Sequence, residues 1–248
     1  MSASITPYYR SEDGSITVYH ARMEDVLAAG IVEPRDVALV HADPPYGIKL
    51  ETRIATVGNR LGRRGLNGGG RGRDYPAIVG DDKPYDPAPL LALDRPLILW
   101  GANHYAPRVP ASPSWILWDK REDQGSDDNA DGEAAWTNLG GPLRIFRHWW
   151  RGALRKTEKE HIHLHPSQKP IALCSWVYAR AKLKRGDLVF VPYLGSGPDL
   201  PAALAMGLRV IACDVEEWCC RTAVAARLNA APHPEPITTI GPLFGGPR

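Results

Sequence analysis

The stretch from Leu188 to Asp214 constrains the chain more than any other. A short apolar run, 188–191, leads into Pro192-Tyr193-Leu194-Gly195-Ser196-Gly197-Pro198. A helical segment follows at 199–206, stopped by Gly207, and then a second apolar run at 210–213 that ends on Asp214. Continuous apolar runs without alternation belong to strands buried on both faces. Strand, glycine turn, helix, strand is a βαβ unit, which requires a parallel sheet covered by helices. Further strands are read at 15–19, 37–41, 97–100 and 114–118, and helices at 24–29, 171–184 and 216–229. The expected fold class is α/β, one mostly parallel sheet with helices on both faces.

With 248 residues the chain suffices for one such domain and its core. We assign 1–231 to a single domain and 232–248 to a tail rich in Pro and Gly. Within the domain, 53–80 reads as a mobile basic loop, because 53–73 carries six arginines, seven glycines and no acid and cannot build a core. The segment 119–160 combines an acidic loop, 122–133, with a basic stretch interleaved with aromatics, 144–159. Arg144, Arg147, Arg151 and Arg155 recur at spacings of three and four, one face of a helix if the stretch is helical. The net charge of +2 excludes a generic polycation, so any contact with nucleic acid must come from local charge. Four cysteines without a CxxC pair suit a reduced, cytoplasmic protein. No signal-like or membrane-length apolar run is present, so no membrane partner is expected.

Two local patterns carry chemistry. Gly195, Ser196 and Gly197 lie at a strand-to-helix turn, where backbone can approach a ligand closely and free N–H groups are available. Asp214, at the end of the next strand, is placed as the acid that accepts hydrogen bonds from ribose hydroxyls in nucleotide-type sites. The turn is neither GxGxxG nor a P-loop, which argues against classical dinucleotides and nucleoside triphosphates. Asp43-Pro44-Pro45-Tyr46 follows a buried strand directly, at the carboxyl edge where open α/β sheets bind ligands. A carboxylate and a backbone carbonyl there can accept both hydrogens of an exocyclic base nitrogen and turn its lone pair toward an incoming methyl. Prolines fix that backbone, and Tyr46 offers a flat face to a base drawn out of the duplex. Read alone, the tetrapeptide is also turn chemistry, and the glycine turn a helix entry.

Asp43-Pro44-Pro45-Tyr46, then His165-Pro166-Ser167-Gln168-Lys169-Pro170, then Gly195-Ser196-Gly197, in that order, resemble the β group of S-adenosylmethionine-dependent DNA amino-methyltransferases of DPPY type. Trp100-Gly101-Ala102-Asn103, Trp118-Asp119-Lys120 and Ala135-Trp136-Thr137 look like further family segments, so the resemblance spans 7–228. It implies a Rossmann-like methyltransferase fold with circularly permuted motif order. It implies a catalytic set of Asp43, Pro44, Pro45 and Tyr46 around the target base. It also implies S-adenosylmethionine as cofactor, with Tyr193, Gly195, Ser196 and Gly197 along its methionine part, Asp214 on its ribose, and Ser167 and Lys169 by its amino-acid end. The reaction implied is methyl transfer to adenine N6 in double-stranded DNA, within or outside a restriction-modification pair. Cytosine N4 is the alternative within the class, and a non-catalytic DNA-binding protein of the same fold the alternative outside it.

The chain departs from the family where Val191 and Ala21-Arg22 replace acids and Pro198-Asp199 replaces Thr. Asp199 is counted with the cofactor residues as a compensating acid, although a helix N-cap is the simpler reading of it. DNA contact is expected from Arg53, Arg60, Arg63, Arg64, Arg71 and Arg73 of the basic loop and from Arg147 and Arg151. Little chain is left for a recognition domain, which favours a short or degenerate target sequence and is compatible with a homodimer. The alternating His161, His163 and His165 have no neighbouring carboxylate or cysteine at ligand spacing, so no metal is expected.

Overall fold

The computed structural model describes residues 5–50, 52, 75–122, 124–126, 130–151, 154–161 and 164–228. The six arginines of the 53–73 stretch and the 232–248 tail lie outside the described residues.

In chain order the strands are β1 (Tyr9–Arg10), β2 (Ile16–His20), β3 (Val37–Ala42), β4 (Leu97–Trp100), β5 (Trp115–Asp119), β6 (Gly132–Thr137), β7 (Arg144–Arg147), β8 (Trp150–Arg151), β9 (Leu154–Arg155), β10 (Leu188–Val191) and β11 (Arg209–Asp214). Nine of them form one sheet in the order β1-β2-β11-β10-β3-β4-β6-β5-β7, and β8 and β9 pair separately. The run from β2 to β4 is parallel throughout. Strand β6 is antiparallel to both β4 and β5, β7 runs parallel to β5, and β1 is antiparallel to β2 at the far edge.

Among the described residues, five α-helices accompany the sheet: α1 (Met23–Ala28), α2 (Ala88–Leu91), α3 (Ile171–Arg180), α4 (Asp199–Ala205) and α5 (Glu217–Ala223), the last continued by a π-helical turn at Val224–Leu228. Alternate residues of the central strands enter two cores. Leu39, Ile98, Trp100, Val189 and Val191 pack with α3, α4 and α5. Val37, Val40, Leu97, Leu99, Leu188 and Phe190 pack with α1 and α2. Both faces are therefore covered, which is why these strands read as unbroken apolar runs rather than as alternating ones.

The structure differs from the sequence reading in three places. The stretch 144–155 is not a helix with an arginine face but three short strands. Ile145 and Phe146, with Trp149 and Trp150, favour a pleated, half-buried surface, and β7 gains a full parallel register against β5. Arg155 is buried, its guanidinium 4.1 Å from the Trp150 ring centre. The acidic segment 122–133 ends in a strand that the sequence reading missed. β6 opens on Gly132, where a Cβ would stand 2.4 Å from the carbonyl oxygen of Trp118, so only glycine allows the two strands this approach. A smaller difference concerns α3, which ends at Arg180 because Lys182 takes a left-handed φ of 58°.

Candidate active site

The cleft follows from topology. β3 and β10 are parallel, hydrogen-bonded neighbours, with Leu39 opposite Val189 and Val40 opposite Phe190. From β3 the chain goes on to β4 on one side, and from β10 to β11 on the other. Adjacent parallel strands whose connections leave in opposite directions open a crevice at their carboxyl ends. Asp43-Pro44-Pro45-Tyr46 leaves β3 at this point and Pro192 to Ser196 leaves β10. Both line one cleft of about 1430 Å³, together with Ser167, Lys169 and Asp214.

On the β3 side, four charged groups and a phenol form a closed set. Lys169, itself buried, places its ammonium 2.5 Å from Asp43 Oδ2 and 3.0 Å from Glu133 Oε2. It also donates to the Tyr46 hydroxyl at 3.1 Å. The Tyr46 hydroxyl donates to Asp43 Oδ1 at 2.6 Å and lies 3.2 Å from Glu133 Oε2, and Lys120 closes on the other oxygen of Glu133. Burial pushes the Tyr46 phenol well up, so it stays a donor. Burial alone would raise Glu133, but Lys169 and Lys120 outweigh it and hold the carboxyl below the usual range. The same neighbours, Asp43 and Glu133, outweigh burial at Lys169 and raise it, keeping the ammonium charged. The sequence reading set Lys169 by the cofactor's amino-acid end; here its ammonium is engaged with Asp43, Tyr46 and Glu133.

Tyr46 is held as a platform. Its ring stacks on His104 with 5.3 Å between centres and 16° between planes. A Cβ on Gly101 would stand 2.1 Å from Tyr46 Cε1, so the ring occupies the space that any side chain there would need. Gly101 also has a φ of +67°, which suits glycine. The segment Trp100-Gly101-Ala102-Asn103 thus serves the tyrosine. Below the platform, Asp81 accepts the N–H groups of Gly47 at 2.7 Å, Ile48 at 3.2 Å and Leu50 at 2.7 Å. Nothing in the sequence signals this clamp, since an acid after a basic loop has no signature.

On the β10 side, Gly195 turns with φ +52°. Asp214 accepts the N–H of Gly195 on one oxygen and that of Glu216 on the other, each at 2.9 Å. Every carboxylate oxygen has a second lone pair, and Asp214 lines the cleft. Burial raises the Asp214 carboxyl above its ordinary range. His165 stacks on Trp218 at 5.3 Å and 13° and accepts the N–H of Ser167 on Nδ1 at 3.2 Å. Burial lowers its imidazole to about 4, with Lys169 adding to the effect. Among the described residues, the buried indole nitrogen of Trp218 has no hydrogen-bond partner. Tyr193 is bonded instead to Tyr85, hydroxyl to hydroxyl at 3.2 Å.

Two residues of the expected cofactor set are used differently. Gly197 does not line the cleft; a Cβ there would stand 2.5 Å from that of Ala223, so this glycine lets α5 pack against the turn. Asp199 is not a helix cap, since Pro198 holds the cap position without a side-chain bond. Its Oδ1 accepts from His41 Nδ1 at 2.6 Å and Tyr178 OH at 2.5 Å. His41, Cys174 and Asp199 form a buried group whose potential ligand atoms all lie within 4.8 Å of one another. Trp100 donates its indole N–H to His41 Nε2 at 2.8 Å, which leaves Nδ1 as the protonated nitrogen. With both ring nitrogens engaged in this way, the group is a hydrogen-bond network. Of the expected DNA contacts outside the basic loop, Arg151 lines the cleft, while Arg147 is exposed with Asp119 at 3.6 Å. His163 lies outside the described residues.

The chain matches no protein-family profile. It is similar to the type II methyltransferase M2.DpnII of Streptococcus pneumoniae, with 27% identity over 125 residues, 48% of this chain and 46% of that protein. The alignment thus spans about half the length of that relative. Among solved structures, PvuII DNA methyltransferase, described as cytosine-N4-specific, aligns with a TM-score of 0.54 at 11% identity over 88% of each chain. The M1.HpyAVI–SAM complex aligns with a TM-score of 0.49 at 16% identity over 87% of this chain and 100% of that one. The likeness to PvuII methyltransferase is one of fold, the Rossmann-like α/β sheet of a methyltransferase.

Proposed function

We propose that the protein is an S-adenosylmethionine-dependent DNA methyltransferase that modifies the exocyclic nitrogen of adenine. The observation that carries this reading is the placement of Asp43 and Gly195 at the carboxyl ends of the adjacent parallel strands β3 and β10, in one cleft. The similarity to M2.DpnII, a methyltransferase, supports it.

The residues on the β10 side suit the cofactor. Asp214 would accept the ribose hydroxyls, and Gly195 and Ser196 would bring backbone against the methionine part. The Trp218 indole nitrogen, buried and without a partner among the described residues, would be a donor for a heterocycle that reached it. S-adenosylmethionine would supply a methyl already activated on sulfonium.

The chain's own task is to prepare the nucleophile. The Asp43 carboxylate accepts one amino hydrogen of the base and the Pro44 region a second. This frees the nitrogen lone pair from conjugation with the ring. Tyr46, stacked on His104 and braced against Gly101, would border the base and hold it against its ring. Positioning and electrostatics carry the rate, and no covalent enzyme intermediate is needed. The DNA would be double-stranded, with Arg147, Arg151 and the arginines of the basic segment on its phosphates. The protein would act as a monomer or a homodimer.

Mass spectrometry of nucleosides from DNA incubated with the protein and S-adenosylmethionine tests the proposal. N6-methyladenine is the expected product. N4-methylcytosine, the modification named for PvuII methyltransferase, would correct the base while keeping the enzyme class. No methylated nucleoside, together with no cofactor binding, would leave a DNA-binding protein of the same fold. An Asp43→Ala variant should lose activity by a factor of about 100 or more.

A further inference from the structure

The geometry points to Glu133 as a positioning residue for methyl transfer, acting through Lys169 to hold Asp43 and Tyr46 in the base pocket. The inference rests on the methyltransferase reading and adds to it a residue from β6, outside the three sequence motifs.

An ammonium has three N–H donors. At Lys169 the three nearest acceptors are Asp43 Oδ2, Glu133 Oε2 and the Tyr46 hydroxyl. All three donors are thereby used within the base side of the cleft, and none is left over for a cofactor carboxylate. Glu133 is what makes this arrangement stable. Beside Asp43 alone, a buried ammonium would keep one unsatisfied donor. With Glu133 and Lys120 added, two lysines face two carboxylates and the set is neutral. Lys120 enters from the end of β5, its ammonium 4.6 Å from the Trp118 ring centre. Glu133 stands opposite Trp118 in the β5–β6 register, so the sheet itself sets its position. Each oxygen of Asp43 consequently has one fixed partner, Tyr46 or Lys169. The carboxylate is oriented before the base arrives, with its remaining lone pairs free to accept the amino hydrogens.

A residue with this role should affect the chemical step and leave cofactor affinity alone. The test compares the full-length wild type with Glu133→Gln in two measurements: the single-turnover rate of methyl transfer to unmethylated DNA, and the Kd for S-adenosylmethionine by titration. Glutamine keeps the volume but removes the charge that balances Lys169. The expected result is a rate loss of about tenfold or more with a Kd within about twofold of wild type. A Glu133→Gln rate equal to that of an active wild type would overturn this inference and leave the methyltransferase reading intact. A Kd that rises in step with the rate loss would overturn it as well, because Lys169 would then be serving the cofactor. A wild type that transfers no methyl would overturn both. Should Glu133→Gln fail to fold, Lys120→Met removes the outer cation and is read in the same way, with a smaller rate loss at constant Kd.

Discussion

His41 donates from Nδ1 to Asp199 at 2.6 Å, joining the residue two before Asp43 to the residue two after Gly197. The bond ties the two motif-bearing segments together at the cleft, which both residues line. The network is directional: the indole N–H of Trp100 requires His41 Nε2 to accept, so Nδ1 must donate, and Asp199 must be the acceptor for both His41 and Tyr178. Asp199→Asn places an amide N–H₂ among donors. Removing one partner of a buried charged network strands the others, so the variant should lose about 3 kcal/mol of unfolding free energy, measured by denaturant titration. Burial raises the Asp199 carboxyl, but the His41 imidazole and the bonds from His41, Tyr178 and Cys174 overcome it and bring it below its ordinary 3.8. A depressed carboxyl contributes stability above its unfolded pKa and loses it as pH falls through the folded one. The gap between wild type and variant should thus be constant from pH 5 to 8 and close only below about pH 4.

A second pH effect comes from the histidines. Burial lowers His165 and His148 to about 4 from 6.5, assisted by Lys169 and Lys156 respectively. The unfolded chain takes up these protons near pH 6.5, whereas the folded chain resists until about 4. Stability should therefore be flat above pH 7 and fall between pH 6.5 and 4, with a slope approaching two protons. His165→Phe can keep the stack on Trp218 and should reduce that slope by about one proton. An unchanged slope would mean that His165 titrates normally in the fold.

The parallel half of the sheet was legible because burial on both faces writes itself as unbroken apolar runs: 188–191 and 97–100 match β10 and β4 residue for residue. The cleft was legible because Asp43 and Gly195 each follow such a run. β6 was not, since Gly132, Glu133 and two alanines have little strand preference of their own, and the strand is formed by partners on both sides. Glu133 was hidden with it, read as the end of an acidic loop. The arginine spacing at 144–155 suggested a helix because periods of three and four also arise by chance in short basic stretches. Asp199 misled because sequence shows a polar residue at a helix start but not the buried histidine it faces.

Asp81 shows how a side chain can replace secondary structure. Its carboxylate takes three loop N–H groups, those of Gly47, Ile48 and Leu50, and so fixes the backbone just after Tyr46. Asp81→Ala leaves these donors to water or to nothing. Hydrogen bonds to a charged acceptor contribute roughly 1.5–3 kcal/mol each, less where solvent can replace it, so a loss of about 3 kcal/mol is expected. Proteolysis or hydrogen exchange should report the loosening at 47–50 first, before the sheet opens. Uniform protection across that loop in the variant would show that the segment is held by other contacts.

Gly101 offers the sharpest separation of fold from function. Its φ of +67° and the 2.1 Å approach to Tyr46 Cε1 leave no place for a methyl. Gly101→Ala must either distort the turn after β4 or push the Tyr46 ring off His104. Overpacking of this kind costs about 1–3 kcal/mol, to which the left-handed φ adds roughly 1 kcal/mol. The sheet has many other contacts, so the variant should fold with a lowered Tm. Displacing Tyr46 also breaks its bonds to Asp43 and Glu133, so methyl transfer should fall by a factor of about 100. Cofactor affinity, set across the cleft at Gly195 and Asp214, should change little. A Gly101→Ala protein that methylates at the wild-type rate would show that the position of Tyr46 over Gly101 is irrelevant to catalysis.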